Sequence, residues 1–173
     1  MSSFCRITNE RHGTHFDVSS FVQWNAWEIA HITKDEFFRT LDEAWFDWKT
    51  IPPTERNIGV KVRQLLEFGR IDIVTGRSPE TVDSANHWLQ DHEITFDSFV
   101  RTNTGAEKSK LSYDIFIDDS PDLMSDLASK LHTHGILYTQ PWNKTIRRIS
   151  SITRVKDWNQ IPGVIREIIS RTR

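Results

Sequence analysis

The chain has 173 residues, of which 37% are hydrophobic and 27% are charged, and its formal net charge at pH 7 is −2. This length fits one globular domain, or one domain with a small appendage. No apolar run approaches the roughly 18 residues of a membrane span, and the first residues have no signal-peptide core. The single cysteine, Cys5, cannot form an internal disulfide. This fits a reducing compartment, so we expect a cytoplasmic protein without a membrane partner.

The charge is distributed unevenly along the chain. From Lys144 onward there are eight lysines and arginines against two acidic residues, a net charge of +6 that leaves residues 1–143 at −8. A basic tail can bind nucleic acid. Because no aromatic stacking platform is interleaved with these cations, we favour solvated helix faces and keep nucleic-acid binding as the weaker alternative.

The N-terminal part of the chain is predicted to be helical. Residues 2–12 can form a short helix that stops at Gly13, and residues 21–32 carry aromatic residues at roughly helical spacing. Thr33 is a predicted N-cap, with Glu36 three residues later as in a capping box. Four of the seven tryptophans lie before residue 50. They either fill a small helical subdomain or line a pocket for a flat, base-like ligand.

The pattern changes after the stiff break at Ile51-Pro52-Pro53. Thr54 is a candidate N-cap for a helix that runs to Gly69, and Ser78 for a helix over residues 79–91. The remaining predicted elements are strands at 71–74, 96–101, 113–117 and 135–139, and helices at 121–132 and 159–171. This alternation predicts an α/β fold, with a parallel sheet covered by helices on both faces and a helical N-terminal appendage.

Polar residues lie at the ends of two predicted strands. Asp118 and Asp119 follow an apolar strand directly, and two adjacent carboxylates favour a hard divalent cation such as Mg²⁺. Thr75 ends an earlier strand, and Lys108 precedes the strand that carries the carboxylates. A phosphate group needs this combination of a hydroxyl, a positive charge and metal-binding carboxylates. Taken singly, each residue also fits a plain turn, strand end or surface position, so it is their order that indicates phosphate chemistry.

The same segments resemble a known family. IDIVTGRSPETV, EKSKLSYDIFIDDSPD and LYTQPWN are similar to motifs two, three and four, and the following loop, of haloacid-dehalogenase-superfamily phosphatases. Within that superfamily the chain resembles the 5′(3′)-deoxyribonucleotidase-like proteins. NERHGTHFDVSSFVQWNAWEI, ITKDEFFRTLDEAW and IPPT are similar to the small helical cap and hinge of these proteins. The resemblance implies a helical cap at residues 1–52 and a Rossmannoid α/β core at residues 53–173.

The resemblance also implies roles for individual residues. Thr75 would hydrogen-bond the transferring phosphoryl oxygen. From the residues themselves, Gly76 would let the backbone approach the substrate closely, and Arg77 is either a surface or helix-start residue or a ligand of the substrate anion. Lys108 would neutralise the nucleophile and the phosphate, acting with Thr75 in catalysis.

Two further residues would bind metal. Asp119 would coordinate Mg²⁺ directly, with Asp118 in or beside the inner coordination shell. The implied activity is Mg²⁺-dependent hydrolysis of a small phosphomonoester, such as a (deoxy)nucleotide, through an aspartyl-phosphate.

One motif of the family is not found in these 173 residues. The family's first motif is a buried strand ending in Asp-x-Asp, which supplies the nucleophile and the acid/base. Asp17 is a weak substitute because it follows polar residues and has no second carboxylate. The missing strand would lie between strands 71–75 and 113–117, so we expect a gap of about two 4.8 Å spacings or a re-paired sheet.

Two interpretations follow from this departure. In the first, the chain begins later than the working protein and is inactive as written. In the alternative, it is a catalytically inactive phosphate- or nucleotide-binding, regulatory protein of the same fold.

Overall fold

A computed structural model of the chain describes residues 1–145 and 149–172. It has an α/β fold in which helices precede a set of parallel strands, as predicted. The helices are α1 (Ser2–His12), α2 (Ala26–Ile29), α3 (Lys34–Phe46), α4 (Ile58–Arg63), α5 (Val82–Asp91), α6 (Pro121–Leu127) and α7 (Ile161–Thr172). The strands are β1 (Asp72–Thr75), β2 (Ser98–Arg101), β3 (Ile115–Asp118), β4 (His134–Tyr138) and β5 (Ile152–Val155). Short 3-10 helices join several of these elements.

The N-terminal helices have an apolar core of their own. Phe4 of α1 packs on Phe37 of α3 with ring centroids 4.8 Å apart, and Phe21 lies edge-on to Phe4 at 5.7 Å. Local signals set the helix ends: Gly13 ends α1 with a φ of 64°, and the Thr33 hydroxyl caps α3. We refer to residues 1–52 as the cap, and their division from the rest of the chain at residue 53 stays a prediction.

The strands are parallel and form two sheets. β1 pairs with β2, while β4 lies between β3 and β5. Successive residues of β4 face opposite sides: Ile136 packs in a cluster with α7, and Leu137 packs in a cluster with α6. Helices therefore cover both faces of the three-stranded sheet, which is the arrangement expected for buried parallel strands.

No backbone pairing joins β1 to β3 within residues 1–145 and 149–172. The two strands nevertheless run level with each other. At their beginnings, the Tyr113 hydroxyl donates to Asp72 Oδ2 at 2.9 Å. At their ends, the 3-10 helix Gly105–Lys110 lies against Gly76 and also pairs with Asp118. The interruption predicted between these strands is therefore present, with two parallel edges on either side of it.

Several predicted elements differ in extent from those observed. β5 was not predicted, because Thr153 and Arg154 interrupt its apolar character and it pairs only with β4. The predicted helix over residues 121–132 ends at Leu127, before His132 takes a φ of 65°. Residues 21–32 contain only the four-residue helix α2.

One predicted helix cap was wrong, and a second was right in position only. The N-cap of α4 is Asn57, which has a φ of 57°, and the helix starts four residues after Thr54. Ser78 does lie at the N-cap position of the predicted helix at 79–91, but that helix begins as the 3-10 helix Pro79–Thr81 and the Ser78 side chain makes no capping hydrogen bond. The capping residue type therefore marked the start of the second helix but not that of the first.

Among the described residues, no helix combines the length and apolar character that a membrane crossing requires. Of the basic residues counted in the C-terminal tail, Arg147, Arg148 and Arg173 lie outside the described residues.

Candidate functional site

Lys108 and Asp118 meet at the end of β3. Lys108 Nζ lies 2.9 Å from Asp118 Oδ2, and their side chains are 19% and 15% exposed, so solvent screens this ion pair only partly. The other carboxylate oxygen, Asp118 Oδ1, accepts a hydrogen bond from the backbone N–H of Ser120 at 2.9 Å. The Ser120 hydroxyl in turn caps α6 by accepting from the Leu123 N–H. Both oxygens of Asp118 are therefore engaged.

The carboxyl group of Asp119 is largely withdrawn from solvent. Burial raises the pKa of the Asp119 carboxyl above its usual range, the neighbouring Asp118 charge acts in the same direction, and Lys108 opposes them. Lys108 does not outweigh burial and the Asp118 charge, because the pKa of Asp119 stays raised. A bound cation would stabilise the ionised form of Asp119.

The buried amide of Asn143 holds Asp119 in place. Asn143 is 0% exposed, and its Nδ2 donates to the carbonyl oxygens of Asp119 at 2.9 Å and Tyr138 at 2.8 Å. Its Oδ1 accepts from the Gln140 N–H and from Arg154. Asn143 thus ties the end of β3 to the end of β4 and to β5. Asn143 lies in the segment LYTQPWN, for which no residue role was predicted, so this residue was missed.

Thr75 and Gly76 lie at the end of β1, close to the segment that carries Lys108. The Thr75 carbonyl accepts hydrogen bonds from the N–H and hydroxyl of Thr102, at 2.8 and 3.2 Å. A Cβ at Gly76 would come within 2.7 Å of the Gly105 nitrogen, so only glycine fits there without a shift of the backbone. The structure therefore places the Thr75 turn beside the 3-10 helix that bears Lys108.

The side chain of Arg77 leaves this turn and stacks on the cap. Its Cζ lies 3.7 Å from the ring centroid of Trp45 in α3. Its backbone N–H donates to Thr75 Oγ1 at 3.3 Å. A role for the Arg77 guanidinium as a substrate ligand stays a prediction.

The tryptophans of the cap are mostly packed against other side chains. Trp27 lies against Phe37 with ring centroids 5.8 Å apart, and Trp45 lies against Trp88 of α5 at 6.1 Å. Trp24 differs, since it is 37% exposed and its indole N–H donates to Asp122 Oδ2 at 2.9 Å, close to the carboxylate pair. Filling of the helical cap therefore accounts for most of the predicted aromatic cluster.

Asp17, the weak candidate for a nucleophile, serves as a local cap. Its Oδ1 accepts from the Ser20 N–H at 3.0 Å and from the Ser19 hydroxyl at 2.7 Å, and these hydrogen bonds lower its pKa. By contrast, the amino group of Met1 is buried and lies within electrostatic range of Asp119. Burial lowers the pKa of this amino group, and the charges of Cys5 and Asp119 oppose that effect.

The donor set fits a weakly held magnesium ion better than a closed metal cage. Within the described part of the chain, no group of three or more His, Cys, Asp and Glu residues is arranged to hold a metal. Mg²⁺, however, is usually bound through one or two carboxylates together with waters and substrate phosphate. Asp118 and Asp119 are two adjacent carboxylates of this kind, and their roles as metal ligands stay a prediction.

Comparison with known proteins agrees with the strand-end motifs. The chain matches the family described as 5′ nucleotidase, deoxy (pyrimidine), cytosolic type C protein, over residues 2–172. A search of curated proteins gave no significant match. Because the family match spans the cap helices and all five strands, it confirms the resemblance drawn from the sequence. The chain belongs to this 5′-nucleotidase family, within the haloacid-dehalogenase-like phosphatases.

Proposed function

We propose that the chain carries the phosphate- and Mg²⁺-binding part of a phosphomonoester hydrolase acting on a small substrate such as a (deoxy)nucleotide. The main support is the contact of Lys108 with Asp118 at 2.9 Å, next to the desolvated Asp119. A family of nucleotidases and phosphatases of the haloacid-dehalogenase type gives the reaction class. We also infer a cytoplasmic location, in keeping with the cytosolic type named in the family description.

The proposed pocket binds a phosphoryl group between the ends of β1 and β3. The Thr75 hydroxyl, which accepts a hydrogen bond from the Arg77 N–H, donates to one phosphoryl oxygen. Lys108 neutralises negative charge on the phosphate while remaining paired with Asp118. Preorganised donors of this kind stabilise the charge that develops during phosphoryl transfer.

Asp119, assisted by Asp118, would hold the Mg²⁺ ion at the end of β3. When bound, the ion supplies positive charge that offsets the phosphate oxygens and the two carboxylates. Asn143 fixes the backbone of Asp119, so that the carboxylate is oriented before substrate binds.

The nucleophile is proposed to come from residues outside positions 1–173, on a strand that lies between β1 and β3. A carboxylate of that strand would attack phosphorus, the bond to the leaving alcohol would break, and water would then hydrolyse the aspartyl-phosphate. The facing edges of β1 and β3 support this placement, because they run level with each other and no backbone pairing joins them among the described residues.

A second candidate function is phosphate or nucleotide binding without turnover. It is favoured by the local bonding of Asp17, which leaves that carboxylate occupied as a cap. In this case the pocket of Thr75 and Lys108 would bind a ligand and transmit its presence to the cap.

The test compares the 173-residue chain with a form extended at Met1 by an apolar strand ending in Asp-x-Asp. Release of inorganic phosphate from nucleoside monophosphates is measured with and without Mg²⁺. We expect release only from the extended form, and loss of release in Asp119→Asn and Lys108→Met but not in Lys110→Met, which changes an exposed lysine.

Each other outcome has a definite meaning. Binding without release by the extended form would favour the second candidate. Release by the 173-residue chain that is abolished in Asp17→Asn would contradict our assignment of the nucleophile. If neither form bound phosphate, the proposed site would be wrong.

A further inference from the structure

Arg77 contacts both the turn that follows β1 and the helix α3. Its backbone is part of the turn after β1, where its N–H donates to Thr75 Oγ1 at 3.3 Å. Its guanidinium lies over the ring of Trp45, in α3 of the cap, with Cζ 3.7 Å from the ring centroid. One residue therefore contacts both the predicted phosphate ligand Thr75 and the cap.

The guanidinium is held by stacking and not by a bonded carboxylate. Nε of Arg77 is buried and has no hydrogen-bond partner among the described residues. Burial lowers the pKa of Arg77 to about 10, and the charge of Asp42 in α3 acts in the opposite direction. The stacking gain on an aromatic face is thus offset by an unsatisfied buried donor.

Trp45 also contacts α5, close to the residues that follow α3. It lies edge-on to Trp88 of α5, with ring centroids 6.1 Å apart. The Trp88 indole N–H donates to the carbonyl of Ile51 at 2.8 Å, next to the two prolines that follow α3. Any tilt of α3 on α5 would therefore change the surface on which Arg77 rests.

We propose that Arg77 is a positioning residue that couples phosphate binding at Thr75 to the placement of the cap helix α3. This inference rests on the proposed function, because it requires that Thr75 contact a phosphate. A phosphate that orders the Thr75 turn fixes the backbone of Arg77 and thereby holds Trp45 and α3 against the core. By reciprocity, an α3 docked in this way favours phosphate binding.

The test uses the whole chain with inorganic phosphate and Mg²⁺ as the probe. Phosphate affinity is measured by calorimetry, and amide hydrogen exchange of residues 34–46 is measured with and without saturating phosphate. For the wild type we expect phosphate to slow exchange in α3. In Arg77→Met and Trp45→Leu we expect about tenfold weaker phosphate binding, and no response of α3 even at saturation.

Conservative variants and a matched control separate coupling from general destabilisation. Trp45→Phe keeps a ring under the guanidinium and is expected to retain both the affinity and the α3 response. Arg77→Lys keeps the charge but not the planar stack, and should behave like Arg77→Met. Lys34→Met removes another cation from a tryptophan face of the cap, 5.3 Å from Trp27, and should change neither measurement.

The outcomes distinguish this inference from the proposed function. If the wild type binds phosphate and Arg77→Met shows the same affinity and the same α3 response, the coupling is wrong and the site stands. If the wild type does not bind phosphate, both the site and the coupling are wrong.

Discussion

Replacement of Asn143 by alanine should lower the free energy of unfolding by more than is usual for a residue in a turn. The amide is fully buried and its side chain makes hydrogen bonds to four other residues, namely Asp119, Tyr138, Gln140 and Arg154. Three of these partners are backbone groups that alanine would leave without their bond. The fourth partner, Arg154, is an exposed residue that water can hydrate instead.

The size of the effect follows from those three backbone groups. At about 1 kcal/mol for each lost bond, Asn143→Ala should lower the free energy of unfolding by about 3 kcal/mol. For a chain of this length, that corresponds to a fall in melting temperature of about 6–12 °C. Since domains are commonly stable by about 5–15 kcal/mol, the variant should still fold.

Urea denaturation followed by tryptophan fluorescence measures this difference. Asn143→Asp is the decisive companion, because it keeps the shape but turns an oxygen toward the carbonyls of Asp119 and Tyr138. It should lose at least as much stability as the alanine variant. Asn103→Ala, at an exposed position, should stay within about 0.5 kcal/mol of the wild type. Wild-type stability in either Asn143 variant would refute the role given to this amide.

Two further predictions concern stability elsewhere in the core. Burial alone would raise the pKa of Glu55, but hydrogen bonds from Lys61, Tyr138 and Trp158 outweigh it and lower the pKa below its ordinary 4.5. A carboxyl group whose pKa is lowered in the folded state stabilises the fold at pH values above its ordinary pKa. The difference in free energy of unfolding between wild type and Glu55→Gln, measured in urea, should therefore be largest above about pH 5 and shrink as the pH falls below 4.5. A pH-independent difference would contradict this. Gly76→Ala places a Cβ 2.7 Å from a backbone nitrogen and should lower the free energy of unfolding by about 1–3 kcal/mol. A Cβ built at Gly163 of α7 has no atom within 4 Å, so Gly163→Ala should raise the free energy of unfolding by about 0.5–1 kcal/mol. Equal melting temperatures for the two glycine variants would show that the close approach at Gly76 is wrong.

The features that the sequence predicted well depend on local signals. Gly13 and Thr33 set helix ends through bonds within one turn, and both act as their residue types indicate. Asp118 and Asp119 follow an apolar strand, so their place at a sheet edge could be predicted from the pattern alone. Lys108 was predicted to belong to the same phosphate site as these carboxylates, and its side chain contacts Asp118.

The features that the sequence did not predict depend on distant partners. Asn143 looks like an ordinary turn residue, because the groups that it satisfies come from β3 and β5. The contact of Arg77 with Trp45 joins residues 32 positions apart in the chain, and neither carries a local signal for it. β5 is short and polar, and it forms only because the edge of β4 supplies its backbone partners.

The most direct test of the account is whether Lys108 and the adjacent carboxylates form a phosphate site. Calorimetric titration of inorganic phosphate into the 173-residue chain, with Mg²⁺ present, would compare wild type, Lys108→Met and Lys110→Met. We predict binding by the wild type, at least tenfold weaker binding in Lys108→Met, and unchanged binding in Lys110→Met. Equal affinity in all three proteins, or a greater loss in Lys110→Met, would contradict the placement of the site at the end of β3.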